Sequence, residues 1–153
     1  MTIWKFLHIA SMFVTVPNFV GQGMLSGVVA RSGDVRALRR VLVAENRFTP
    51  IGGGIFLLGL VFGFVTAIVG DIDLTQTWLL IAYGLVAYIL LTAFLYHAPQ
   101  ARRLQTAVDA SSDDRASDEL HSLVTAPTGT VINVLDGLAW LGIIYVMVAK
   151  PFL

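Results

Sequence analysis

The chain has 153 residues, 56% of them hydrophobic, and a mean hydropathy of +0.78, which excludes an ordinary soluble domain. Ten basic residues balance ten acidic ones, so the charge supplies no field for nucleic acid. With no cysteine, disulfides, thiolate metal sites and thiol catalysis are excluded, and nothing follows about redox compartment.

The first hydrophobic stretch, residues 3–30, is long enough to cross a bilayer yet carries His8, Ser11, Thr15, Asn18, Gln22 and Ser26 at spacings of three and four. That spacing puts them on one side of an α-helix. Hydrocarbon does not solvate such side chains, so the line is expected to face other protein. A signal peptide is the competing reading, because Lys5 precedes an apolar run. The run is too long and too polar along one face, and no small-residue cleavage site follows a short core.

Three further spans follow at about residues 48–69, 78–98 and 128–149. The expected fold is all-α, a four-helix transmembrane bundle in which residues 1–153 form a single integral membrane domain. Arg31, Arg36, Arg39, Arg40 and Arg47 lie between the first two spans, and Arg102, Arg103 and Arg115 between the last two. Only Lys5 and Lys150 lie at the other side, so the positive-inside rule predicts both termini to be non-cytoplasmic.

Between the first two spans, Gly33 and Asp34 read as a break and a cap. Val35, Leu38, Val41 and Leu42 then recur at helical spacing against the arginines, the pattern of a short amphipathic helix on the membrane surface. Thr49 and Pro50 resemble an N-cap and first-turn pair that restarts the chain as the second span. In that span Gly52, Gly59, Gly63 and Gly70 fall near one face, a surface for close helix packing, with a partner inside the bundle preferred over a second copy. The short acidic turn that follows makes spans two and three antiparallel neighbours.

Trp78 opens the third span and Tyr96 and His97 close it, with Pro99 disfavouring continuation in the same geometry. Ser111, Ser112, Asp113 and Asp114 read as a solvated break between a helical extension of span three and a short helix over residues 115–124, since they lack the ligand spacing of a calcium loop. In the fourth span Asn133 and Asp136 stand one turn apart, and an acid inside a span is a functional-site hypothesis by default. By helical rise Asp136 lies level with Asn18 and Gln22. The four residues Asn18, Gln22, Asn133 and Asp136 form an expected buried polar cluster. Within it Asp136 is either protonated and bonded to the amides or reaches water through a cavity.

The same reckoning puts His8 level with Thr66, Tyr83 and Tyr145, close to Met147. That is a satisfied core histidine or, alternatively, a haem b site with His8 as one axial ligand and Met147 opposite. His8 and His97 stand about 30 Å apart by rise, too far for a bis-histidine haem. His97 and His121 share a side but offer only a weak two-histidine metal site, so no metal site is expected. No phosphate-cradling loop, HExxH or GxSxG is present, so catalysis by protein groups alone has no support in the sequence and no catalytic residue is named.

Taken together, Trp4-Lys5-Phe6-Leu7-His8-Ile9, Thr77-Trp78, the run Tyr96 to Arg103 and Met147-Val148-Ala149-Lys150-Pro151 resemble a bacterial family of uncharacterised four-helix integral membrane proteins, a domain of unknown function. The resemblance implies a multi-pass protein of the bacterial cytoplasmic membrane and no particular reaction. More distantly, the chain is similar to haem-dependent membrane protoporphyrinogen oxidases and to copper-resistance membrane proteins. In the oxidase family a first-span histidine after a tryptophan and a lysine is a haem ligand, and His8 holds the matching place. The lysine that family carries soon after the tryptophan of span three is absent here, where Leu79, Leu80 and Ile81 follow Trp78.

The leading functional expectation is a non-enzymatic accessory subunit of a larger membrane complex, with the lipid bilayer and other membrane subunits as partners and no evident small-molecule substrate. A b-type haem protein using His8 is the alternative, and a proton-coupled carrier working through Asp136 is a third class.

Overall fold

The computed structural model describes residues 3–112 and 116–151. Its elements in chain order are α1 (Ile3–Ser32), α2 (Val35–Val69), α3 (Thr77–Thr92), a π-helical turn (Ala93–His97), α4 (Ala98–Asp109), α5 (Asp118–Thr125) and α6 (Pro127–Ala149). Four helical rods are long and apolar enough to cross a membrane. They are α1, α2, the α3–α4 rod, and α6 with the short α5 before it.

The rods pair as two antiparallel hairpins, α1 along α2 and α3 along α6. Gly33 adopts φ +77°, which only a residue without Cβ enters freely, and lets the chain reverse in two residues. Asp34 then accepts from the Ala37 amide at 2.8 Å and starts α2. Along α2 the glycines open a seam for α1. Gly52 lies against Asn18 and Phe19, Gly59 against Ser11 and Met12, and Gly63 against the His8 ring. Small residues give helices in lipid their close approach, so this seam holds the first hairpin together.

The polar line of α1 is satisfied along the helix and by α2. Thr15, fully buried, donates to the Ser11 carbonyl at 2.7 Å, and Ser26 donates to the Gln22 carbonyl at 3.0 Å. Gln22 donates to Asn18 and accepts from Thr49 at 2.9 Å.

Two apolar cores join the hairpins. Within the spans, Phe56 of α2, Ile89 of α3 and Ala139 and Trp140 of α6 are buried together, with Phe56 edge-on to Trp140 at 5.6 Å. Beyond the spans, Val35, Leu38 and Leu42 of α2 bury against Ala107 and Val108 of α4 and Leu120 of α5. Arg39 fastens this second core by donating to the carbonyls of Val108 at 3.0 Å and Ser111 at 3.1 Å, where α4 ends.

That second core corrects two sequence expectations. The amphipathic stretch after Asp34 packs its apolar face on α4 and α5, not on headgroups, so it keeps the axis of the span and α2 runs unbroken through Pro50. Thr49 consequently caps nothing and bonds Gln22 instead. At Pro99 the helix does change geometry, passing through the π-helical turn Ala93–His97 before it continues as α4. The short helix begins at Asp118, where Ser117 accepts from the Leu120 amide, and not at Arg115. Asp113, Asp114 and Arg115 lie outside the described residues.

At the opposite end, the Asp73 carboxylate accepts from the Thr75 hydroxyl at 2.7 Å and its amide at 2.8 Å. These bonds favour the ionised form and hold Asp73 below the ordinary aspartate range. Lys150 sits 5.4 Å from the centre of the Trp78 ring, tying the end of α6 to the start of α3.

Candidate functional site

The site is built by the π-helical turn. Proline at position 99 has no N–H for the Leu95 carbonyl, and its ring crowds that carbonyl, so the helix is loosened just before it. The chain there closes wider turns over Ala93–His97. Residues five apart on an α-helix stand about 140° apart. A π-turn bonds i to i+5 and stacks them, so Thr92 and His97 both reach one carboxylate of α6.

That carboxylate is Asp136. Its Oδ2 lies 2.6 Å from His97 Nε2, and its Oδ1 accepts from the Thr92 hydroxyl at 3.2 Å. The same hydroxyl also contacts the Ile89 carbonyl at 3.1 Å. Tyr88, one turn before Thr92 on α3, also faces Asp136, and the Tyr96 ring stands edge-on to His97 at 5.2 Å. The Asp136 side chain is 16% exposed and that of His97 41%. The pair is therefore enclosed on the acid side and open on the imidazole side. Chemically it is an acid–imidazole couple able to share and pass one proton within an apolar zone.

This arrangement corrects the expected partner of Asp136. Asn18 and Gln22 bond each other and Thr49 on the first hairpin, while Asp136 bonds His97 and Thr92 on the second. Asn133 joins neither group and stands exposed on α6. Residue order alone places His97 at the end of its span, one turn or more from Asp136. The one sequence signal for the pairing is Pro99, two residues beyond His97. His97 is thereby turned toward α6, and His121 is exposed. Among the described residues no group of three or more histidines and acids is placed to hold a metal.

His8 and the residues expected beside it are not gathered either. His8 uses Nδ1 to donate to the Gly59 carbonyl at 2.7 Å, and its ring lies on Gly63. Tyr83 stacks on Phe64 at 5.5 Å, Tyr145 is 63% exposed, and among the described residues no hydrogen bond or ring contact joins either, or Met147, to His8. His8 is thus held as a seam residue between α1 and α2, and the other three do not complete a cofactor cage around it.

A four-span helical bundle with an acid–imidazole pair inside its apolar zone defines an integral membrane protein. The chain belongs to the family described as "Predicted integral membrane protein (DUF2269)", whose model matches residues 2–151. No curated protein and no solved structure matches it, so the likeness to haem-dependent oxidases and copper-resistance proteins is not shown.

Proposed function

We propose that this protein is a non-enzymatic accessory subunit of a larger complex in the bacterial cytoplasmic membrane. The arginine-bearing end faces the cytoplasm and both termini face away from it. The arginines of the two long connections support that orientation. One observation carries the subunit reading. Trp140, seven residues from Asn133 and so on nearly the same side of α6, is buried against Phe56, yet Asn133 stands exposed. Around Gly137, one turn along that side, nothing lies within 4 Å of where a Cβ would be. An amide exposed inside an apolar span calls for a hydrogen-bonding neighbour, and a small residue beside it lets a helix come close. The occupant that fits is a transmembrane helix of another membrane protein presenting a polar side chain.

The test is extraction from native membranes with a mild detergent, followed by native electrophoresis. The wild type is expected to migrate within a larger species, and Asn133→Leu to release it as a single copy with unchanged helix content. Single copies for both proteins would overturn the reading.

A second reading, haem b with His8 as axial ligand, has one supporting observation. In the neutral imidazole, Nδ1–H given to the Gly59 carbonyl leaves the Nε2 lone pair for a metal. An absorption spectrum of the same preparation decides it. A Soret band lost in His8→Ala would establish haem binding, and a wild type without that band ends the reading.

A further inference from the structure

On the first hairpin, α1 and α2 alone line a groove of about 410 Å³, with Asn18, Gln22 and Leu25 on one wall and Arg40, Glu45 and Phe48 on the other. Asn18, Gln22, Arg40 and Glu45 set polar groups into a lining that is otherwise apolar. Glu45 Oε1 is buried there without a hydrogen-bond partner, while the Ser26 hydroxyl of α1 lies beside the same carboxyl. Ser26 also gives its one proton to the Gln22 carbonyl at 3.0 Å, so the carboxyl keeps acceptor capacity that a donor from outside the chain can fill.

Depth says what that is. Counted from Val69, the far end of α2, Glu45 lies 24 residues along the helix. That is about 36 Å of rise against a hydrocarbon core of about 30 Å. Glu45 therefore stands at the level of lipid headgroups. Arg40 is further toward water on a side chain long enough to reach back, and Leu25 and Phe48 line the wall along which an acyl chain would run. Among the described residues no other element lines the groove, so the bilayer is the occupant at hand.

We infer that this groove is a binding site for a phospholipid whose headgroup carries a primary amine. The ammonium donates N–H to Glu45, the phosphate pairs with Arg40, and one acyl chain follows Phe48 and Leu25. The chemistry discriminates among headgroups. A trimethylated ammonium has the same charge but no N–H for the carboxylate, and a glycerol headgroup has no cation for it.

The detergent-purified full chain is incubated with phosphatidylethanolamine, phosphatidylcholine or phosphatidylglycerol of identical acyl chains, and bound lipid is counted by native mass spectrometry. One phosphatidylethanolamine is expected to be retained over either competitor by about tenfold, the ratio that one charge-assisted hydrogen bond supplies. Glu45→Gln is expected to abolish that preference, and Arg40→Gln to weaken all three lipids together. Equal retention of the three by the wild type overturns the inference without need of any variant. So does a preference that survives in Glu45→Gln, and so does a groove that retains no lipid, which would leave it to a protein helix. Because the groove and Asn133 lie on different hairpins, failure here leaves the subunit reading intact.

Discussion

Gly59→Leu is expected to separate the first two helices and give the largest loss of stability of any single change on α2. A Cβ at Gly59 already falls 2.6 Å from the Met12 Cε and 2.9 Å from the Ser11 Cβ. The methionine tip can swing away, but the serine Cβ moves only with the α1 backbone, so α1 itself must shift. Gly63→Ala acts by a second route. Its Cβ falls 2.9 Å from His8 Nδ1 and 3.0 Å from Cε1, and the ring that must yield is the one bonded to the Gly59 carbonyl. Overpacking costs about 1–3 kcal/mol, and a displaced hydrogen bond adds about 0.5–1.5 kcal/mol. Adding His8→Ala to Gly63→Ala should recover part of the loss, because the double variant removes the clash. Gly53→Ala and Gly54→Ala are the controls, since nothing lies within 4 Å of either Cβ position. Both should be neutral or slightly stabilising. Unfolding of the detergent-solubilised chain by sodium dodecyl sulfate, followed by circular dichroism, reads all of these. A Gly59→Leu protein as stable as the wild type would remove the seam from the account.

The second large effect is at Asp136. Asp136→Ala leaves His97 and the Thr92 hydroxyl without their shared acceptor. The expected loss is about 1–3 kcal/mol, the cost of a polar group stripped of its partner. It should fall short of the roughly 3–5 kcal/mol of a fully enclosed ion pair, because the His97 side chain is 41% exposed. His97→Ala should cost a similar amount, and the double variant clearly less than the sum, since either change alone breaks the same contact. Strict additivity in the same unfolding measurement would mean that the two side chains stabilise the bundle independently and that the pair does not act as a unit.

The contrast between these two places says what the amino-acid order makes legible. The glycine seam can be read directly for Gly52, Gly59 and Gly63, which recur at helical spacing on a regular helix; Gly70, expected on the same face, lies past the end of α2 against the Thr66 carbonyl and Ile72. The four apolar rods and the polar line of α1 follow from the same rule. The His97–Asp136 pair is hidden because a π-turn breaks the period between Thr92 and His97, so counting by 3.6 turns the histidine the wrong way. The continuity of α2 is hidden for another reason. Thr49 and Pro50 carry the local chemistry of a helix start, and what overrides it is distant packing of Val35, Leu38 and Leu42 on α4 and α5. Asp136 is recognisable as a costly acid from its position alone, but its partner is not, since depth along a rod says nothing about which side of the neighbouring rod faces it.

The unbroken passage of α2 has a mechanical consequence. One end of this 35-residue rod is clamped beyond the bilayer by Arg39 and the core around Leu38, and its other end carries the ridge on which α1 rides. With no joint between them, a twist imposed on the arginine-bearing cap must reappear on the far leaflet. A neighbour gripping that cap would therefore turn the whole first hairpin as a lever turns its shaft.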